Sequence, residues 1–90
     1  MKPNKVFSLL GLATRAGRTA SGEFMTEKSV KNKTAALVIV GTDASANTKK
    51  NFRDMCSFYH VPYYEYGTKE ELGHAMGKEM RASLAVTCLL

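Results

Sequence analysis

The amino-acid sequence predicts an α/β fold, a three-layer α/β/α sandwich with a small mixed sheet of about four strands. Segments with the spacing of amphipathic helices alternate along the chain with short segments of strand character. The run "AALVIV", residues 35–40, is apolar on both faces, which suits a central strand covered by helices on both sides. With 90 residues, the chain is predicted to form one domain, residues 1–90.

The first predicted helix begins after Asn4, a residue type that favours helix N-caps. Its apolar stripe recurs at helical spacing and consists of Val6, Phe7, Leu10 and Ala13, widened by Leu9 and Leu12. Gly17 is predicted to end this helix, and "RTA", residues 18–20, is a candidate for a very short strand.

The second predicted helix lies in "SGEFMTEKSVKNK", residues 21–33. Ser21 is the predicted N-cap, and Glu23 in the first turn complements the helix dipole. Lys31 and Lys33 lie near the end of the helix. The buried strand 35–40 follows, and then "GTDAS", residues 41–45, forms a turn that ends in residues suited to cap the next helix.

The rest of the chain repeats the alternation twice. A third helix has a core stripe of Phe52, Met55, Cys56 and Tyr59. "HVPYYEY", residues 60–66, holds a strand begun by Pro62 and ended by Gly67. Thr68 and Glu71 form a capping box that opens a short helix packing Leu72 and Met76, and "SLAVT", residues 83–87, is the last strand.

Composition favours a polyanionic partner. Thirteen Lys and Arg residues against eight Asp and Glu give a net charge of +5 and an isoelectric point near 9.4. The longest apolar run, residues 35–40, is far shorter than the roughly 20 residues that cross a bilayer. We find no pattern of a signal peptide, and therefore expect a cytoplasmic protein that is not bound to a membrane. We also expect a monomer.

No constellation of catalytic or metal-binding residues is found. The sequence has no phosphate-binding loop, nucleophile elbow or zinc-protease motif, and His60 and His74 lack a ligand partner at i+3 or i+4. Cys56 and Cys88 have no C-x-x-C spacing, which favours two buried thiols over a disulfide or a zinc site. We therefore expect no enzyme activity, no cofactor and no metal.

Three further patterns have both a functional and a structural interpretation. The tyrosines at 59, 63, 64 and 66 offer stacking faces to bases, but core and cross-strand packing is the favoured interpretation for them. Gly73 and Gly77 form G-x-x-x-G, which in a polar helix indicates close packing or a helix end. Basic residues cluster at sequence-distant points, although a solvated face explains each cluster taken alone: Arg15, Arg18, Lys28, Lys31 and Arg81.

In this order, several short elements resemble the kink-turn-binding ribosomal protein superfamily (the ribosomal protein L7Ae family), and most closely its bacterial YlxQ branch. They are the Gly22 that opens a helix carrying Lys28, the strand that ends in "GTDAS", the "VPY" strand entry, the segment "GTKEELGHAMGK" and the final "RASLAV". The similarity covers essentially the whole chain, from about Lys5 to Thr87.

The resemblance implies a protein that binds the sharply bent RNA of a kink-turn. In the family, the N-terminus of the motif helix meets tandem sheared G·A pairs, and the loop before the last strand covers a flipped nucleotide. The family motif is Gly-x-Asn-Glu followed by a Lys six residues after the Gly. Here Gly22 and Lys28 match, whereas Phe24 and Met25 occupy the positions of the Asn and Glu that read guanine edges.

These considerations give a candidate RNA-binding surface. If the fold is as predicted, Arg18, Lys28, Lys31 and Arg81 should converge at the opening helix. Thr42 stands where many family members have an acidic residue, although Asp43 is kept. The complete set of candidate residues is Arg18, Gly22, Glu23, Phe24, Met25, Lys28, Lys31, Asp43, Met80, Arg81 and Ala82.

The sequence is compatible with two functions. The first is a non-enzymatic RNA-binding protein, ribosome-associated, whose partner is structured RNA such as ribosomal RNA. The second is a protein–protein adaptor on the same fold that uses an apolar patch of Phe24, Met25 and Met80. In the first function, Phe24 or Met25 stacks on a base or fills a groove of the RNA, whereas in the second they contact a protein. The alternative for either residue is a place in the core.

Overall fold

Four helices and four strands alternate along residues 5–87, the part of the chain that the computed structural model describes. They are α1 Lys5–Arg15, β1 Thr19–Ser21, α2 Glu23–Lys31, β2 Leu37–Val40, α3 Ala46–Tyr59, β3 Tyr63–Glu65, α4 Lys69–Ala75 and β4 Ser83–Val86. The predicted three-layer α/β/α sandwich is confirmed, including the short strand before α2. Asn4, the predicted cap of α1, lies outside the described residues.

The sheet is mixed and has the strand order β1-β4-β2-β3. β2 pairs parallel with β3, and β4 runs antiparallel to both β1 and β2. β2 and β4 are the two inner strands, which explains why β2 is apolar on both faces. β3 is an edge strand, where a preceding proline is tolerated.

Side-chain alternation along β2 and β4 separates two small cores. One core lies between the sheet and the pair α2 and α3, and consists of Val30, Val38, Val40, Ala44, Phe52, Cys56 and Ala85. The other lies between the sheet and the pair α1 and α4, and consists of Leu10, Ile39, Leu72, Met76, Leu84 and Val86. No helix within residues 5–87 is long and apolar enough to span a membrane.

The core stripe predicted for α3 is confirmed. Phe52 and Cys56 are fully buried, while Met55 and Tyr59 pack against them as half-buried residues. Burial raises the pKa of the Cys56 thiol to about 11. The thiol therefore stays protonated at neutral pH and unreactive, as expected of a buried structural cysteine. Cys88 lies outside the described residues.

The apolar stripe of α1 is narrower than the sequence predicts. Leu10 is the buried residue of the helix, and Phe7 and Ala13 pack partly against the same core. The remaining large apolar residues of the predicted stripe, Val6, Leu9 and Leu12, are exposed. With Leu37, Ile39 and Val86 of the sheet they line an open groove of about 660 Å³, which no other part of residues 5–87 fills.

Two predicted caps are confirmed and one is wrong. Ser45 caps α3 by accepting a hydrogen bond from the Thr48 amide (3.1 Å), and Thr68 with Glu71 forms the capping box of α4. Ser21 does not cap α2. It is the last residue of β1 and pairs with Leu84, so Gly22 becomes the N-cap, at a φ of 88° that glycine adopts without strain.

Candidate nucleic-acid interface

Four connections meet at one end of the sheet, which we call the loop end. They follow β1, β2 and β3 and precede β4, because β4 runs antiparallel to β1 and β2 while β3 is parallel to β2. Backbone hydrogen bonds join them: the Gly22 amide donates to the Ser83 carbonyl, the Gly41 amide to Ala82 and the Thr42 amide to Gly67. The loop end is therefore one connected surface built from distant parts of the sequence.

The N-terminus of α2 opens onto the loop end. No side chain caps it: the Gly22 carbonyl accepts from the Thr26 amide (3.0 Å), but the amides of Glu23, Phe24 and Met25 have no capping side chain as an acceptor. Glu23 adds an acidic group to the first turn. The next two side chains, Phe24 and Met25, are 74% and 45% exposed, so both apolar residues lie on the surface instead of in the core.

Arg81 ties the loop before β4 to the start of α2. Its Nε donates a hydrogen bond to the Ser21 hydroxyl (3.3 Å), and its Nη1 donates to the carbonyls of Met80 (3.0 Å) and Glu79 (3.3 Å). These acceptors are neutral, and Arg81 forms no ion pair with any residue that the structure describes. A fixed guanidinium without a carboxylate partner thus lies beside the α2 N-terminus.

A glycine on α4 lets the loop before β4 come close. Gly73 is buried, and a Cβ atom there would overlap the carbonyl of Glu79 and press on the Cα of Met80. Gly77, at a φ of 68°, turns the chain after α4. The helix-end interpretation of the G-x-x-x-G spacing therefore holds for Gly77, whereas the close contact at Gly73 is with the loop before β4. This contact fixes the position of Arg81 and of Met80, which is 61% exposed.

Asp43 connects two of the loops. Its Oδ1 accepts a hydrogen bond from the Lys69 amide (2.8 Å) at the start of α4. The neighbouring Thr42 hydroxyl donates to the Gly67 carbonyl (3.0 Å). The structure therefore gives Asp43 a contact that positions the loop end, and its contact with RNA stays a prediction.

Lys28 and Lys31 lie farther along α2. Together with Phe24, Glu27 and Asn32 they line a shallow depression of about 420 Å³ on the outer face of the helix. Glu27 accepts a hydrogen bond from Lys31 (2.7 Å), and this bond and the accompanying charge attraction raise the Lys31 pKa. Lys28 forms no ion pair within residues 5–87.

Arg18 lies away from the other basic residues of the candidate surface. The prediction that it converges with them at the start of α2 is therefore wrong. Its carbonyl accepts from the Thr87 amide, at the opposite end of β1 from Ser21. Arg18 lines a groove of about 660 Å³ on the α1 side of the sheet, beside Leu12 and Ile39. The other candidates, Gly22 to Lys31 and Met80 to Ala82, lie on α2 or at the loop end.

The tyrosines divide between the core and the surface. Tyr59 and Tyr63 are half-buried against the α3 core, as predicted, and burial raises the pKa of Tyr63. Tyr66 is more exposed, although its ring lies near Phe7, with centroids 5.5 Å apart. The prediction of core packing is wrong for Tyr64, which is 54% exposed on the edge strand, opposite Ile39 of β2.

Two features of the site were not found in the sequence. The hydroxyl of Ser21 holds Arg81 across 60 residues of chain, and no local pattern signals such a pair. The hydroxyls of Thr26 in α2 and Ser83 in β4 are buried without a hydrogen-bond partner among the described residues.

Within residues 5–87, no group of three or more His, Cys, Asp and Glu residues is placed to hold a metal.

This architecture, with a glycine-opened helix beside the loop that precedes the last strand, defines a class of α/β/α proteins. A family model described as the ribosomal protein L7Ae/L30e/S12e/Gadd45 family matches residues 4–88. The chain belongs to this family, and the resemblance found in the sequence is confirmed.

Relatives from the YlxQ branch match most of the chain. The chain is 46% identical over 81 residues to the RNA-binding protein YlxQ of Bacillus subtilis (strain 168), covering 90% of this chain and 81% of that protein. It is 42% identical over 74 residues to the RNA-binding protein YlxQ of Enterococcus faecium, covering 82% of this chain and 72% of the relative.

Solved structures share the fold. A protein of unknown function from Bacillus halodurans superposes with a TM-score of 0.92 at 40% identity, covering 96% of this chain and 87% of that one. The Giardia lamblia 15.5kD RNA binding protein superposes with a TM-score of 0.85 at 22% identity, covering 93% of this chain and 72% of that one. At that identity, the second match bears on the fold alone.

Proposed function

We propose that this chain is a non-enzymatic, monomeric RNA-binding protein of the cytoplasm that recognises folded, kink-turn-like RNA and associates with the ribosome. The observation that carries the proposal is the uncapped N-terminus of α2 beside Arg81, whose charge no described carboxylate neutralises. The names of its YlxQ relatives, which are given as RNA-binding proteins, support the same class of ligand.

The physical basis is a binding site for the RNA backbone. The free amides at a helix N-terminus and the positive end of the helix dipole attract phosphate oxygens. Arg81 adds charge beside the start of the helix and Lys28 adds charge farther along it, and such backbone contacts fix the position of an RNA on the protein. Phe24 and Met25 neither donate nor accept the hydrogen bonds that read guanine edges, so the proposed recognition depends on the bent shape of the backbone.

Charge-removing variants test the proposed surface. We expect Lys28→Ala and Arg81→Ala each to weaken binding to a kink-turn RNA, and to reduce the slope of log affinity against log salt by about one unit per lost phosphate contact. Binding is measured by titration at several salt concentrations. Thermal melts verify that Arg81→Ala stays folded after losing its contact with Ser21.

Lys50→Ala is the matched control. Lys50 is an exposed lysine of α3 that pairs with Asp54 (3.4 Å), and its removal changes the net charge by the same amount. Its loss should leave the affinity close to that of the wild type. If Lys28→Ala and Arg81→Ala bind as Lys50→Ala does, the RNA does not contact the surface proposed above.

A second function is favoured by one observation: Phe24, Met25 and Met80 are all exposed around the α2 N-terminus and the adjoining loop. A protein–protein adaptor would use them as an apolar patch. Binding of a purified partner that is insensitive to salt and to RNase, and is lost in Met25→Asp, would favour this function. Affinity that falls steeply with salt would favour RNA.

A further inference from the structure

The outer face of α2 carries an exposed aromatic ring that the protein itself does not use. Phe24 is 74% exposed and has no ring contact within residues 5–87. Phe58 on α3 is equally exposed, at 75%, but its ring packs edge-on against Tyr59, with centroids 4.9 Å apart. Of these two exposed phenylalanines, only Phe24 presents a ring to solvent with no aromatic neighbour to explain it.

Positive charge lies on the same helix face as this ring. Phe24, Lys28 and Lys31 follow one another at helical spacing and line the depression of about 420 Å³. Lys31 is held by Glu27 (2.7 Å), so the cation of this face that no described carboxylate pairs is Lys28. Lys28 lies one turn beyond Phe24, about 6 Å along the helix axis.

A ring and a cation at this separation suit a single nucleotide. A phenyl ring offers no hydrogen bonds, so it attracts a base by stacking on its face, and every base has such a face. The ammonium group of Lys28 then meets the phosphate of the same or the next nucleotide. A base inside a continuous duplex has both faces covered by its neighbours, so the base that stacks on Phe24 must be unpaired.

We infer that the outer face of α2 binds an unpaired nucleotide of the RNA, with its base stacked on Phe24 and its phosphate at Lys28. This inference rests on the proposed function and adds to it a ligand class and a residue, Phe24, at a position where the polar reading group of the family motif is missing. Because stacking tolerates any base, the identity of the unpaired base should matter little.

The test uses two RNA hairpins, each closed by the same non-nucleotide linker, that differ by one nucleotide. One carries a single unpaired 2-aminopurine, whose fluorescence falls when it stacks, and the other is fully paired. We expect the wild type to bind the first hairpin more tightly and to quench its fluorescence. Phe24→Ala should weaken that binding by about fivefold to about a hundredfold, the range of base–aromatic stacking, and abolish the quenching.

Three further variants control for fold and for general apolarity. Phe24→Trp keeps an aromatic face, so its affinity should stay within about threefold of the wild type. Phe58→Ala removes a phenylalanine of equal exposure on another helix and should leave the affinity unchanged. Lys28→Ala should weaken binding and flatten its salt dependence while the bound base stays quenched, because the ring is still present.

Failure of the inference is distinct from failure of the proposed function. If the wild type binds RNA but Phe24→Ala binds the unpaired hairpin as well as Phe58→Ala does, the stacking role is overturned and RNA binding stands. Equal losses on the paired and unpaired hairpins would also overturn it, since the ring would then not select an unpaired base. If the wild type binds neither these hairpins nor a kink-turn RNA, both proposals fall.

Discussion

Two glycines determine how the candidate interface is built. Gly22 takes a φ of 88° and is the single residue between β1 and α2. Gly73 leaves room for the backbone at Glu79 and Met80, so the loop carrying Arg81 lies against α4 and reaches Ser21. The placement of Arg81 beside α2 therefore depends on the absence of a side chain at Gly73 as well as on the hydroxyl of Ser21.

Gly73→Ala is expected to destabilise the protein. The added methyl group overlaps the Glu79 carbonyl, which belongs to the backbone and cannot rotate away, so the loop must shift. Overpacking of this kind costs about 1–3 kcal/mol of the free energy of unfolding. Denaturant titration measures the loss, and RNA affinity should fall with it because Arg81 moves.

His74→Ala is the control for this prediction, because His74 is exposed and neighbours Gly73 on the same helix. Its effect on the free energy of unfolding should be within about 0.5 kcal/mol. If Gly73→Ala is as stable as His74→Ala, the close approach of the loop to α4 does not exist in the folded protein.

Some residue roles were visible in the sequence and others were not. The burial of Phe52, Cys56 and Leu72 follows from helical spacing, and the structure confirms it. The exposure of Phe24 and Met25 could not be predicted from the sequence, because an apolar residue in the first turn of a helix can lie either in the core or on the surface. The cap of α2 was predicted wrongly at Ser21. The sequence around a serine before a helix looks the same whether the serine caps the helix or, as here, ends a strand.

At the scale of elements, short helices depend on their ends. α4 has seven residues and α2 nine, so end contacts satisfy a large share of their backbone groups. Ser45, Thr68 and Glu71 supply such contacts to α3 and α4, whereas α2 begins without a capping side chain. Among the three helices whose N-caps lie within residues 5–87, α2, which faces the proposed ligand, is the one that begins without a capping side chain.

Ser45→Ala tests the contribution of a cap to the fold. The substitution removes the acceptor of the Thr48 amide at the start of α3 and should lower the free energy of unfolding by about 1 kcal/mol. Ser57→Ala, at an exposed position inside the same helix, should be neutral or slightly stabilising because alanine favours helix. Equal stability of the two variants in a denaturant titration would contradict the assigned cap.

At the scale of the whole molecule, the order of elements was predictable but their pairing was not. Alternating periodicity gave the helices and strands in sequence, and the resemblance to a known family implied how they pack. No local pattern shows that β1 pairs with β4, more than 60 residues later, or that this pairing brings Ser21 to Arg81. Arg18 was misplaced for the same reason: it precedes β1, and the direction of a three-residue strand decides at which end of the sheet it lies.

The net charge of +5 does not by itself show where on the surface the basic residues act. Within residues 5–87, Lys31, Lys49 and Lys50 are matched by Glu27, Glu65 and Asp54, whereas Lys28 on α2 and Arg81 at its N-terminus form no ion pair. A basic composition alone indicates affinity for any polyanion, whereas a fixed arrangement of helix amides and cations favours an RNA of defined shape.

Recognition of kink-turn-like RNA is tested most directly by titrating the wild-type protein into a standard kink-turn RNA and into a matched duplex that lacks the G·A pairs, at near-physiological salt. We expect the kink-turn to bind more tightly by at least about tenfold, or about 1.4 kcal/mol, because its bent backbone fits the α2 N-terminus and that of the duplex does not. Equal, weak and salt-sensitive binding to both RNAs would contradict recognition of folded RNA and leave only a general attraction between a basic protein and a polyanion.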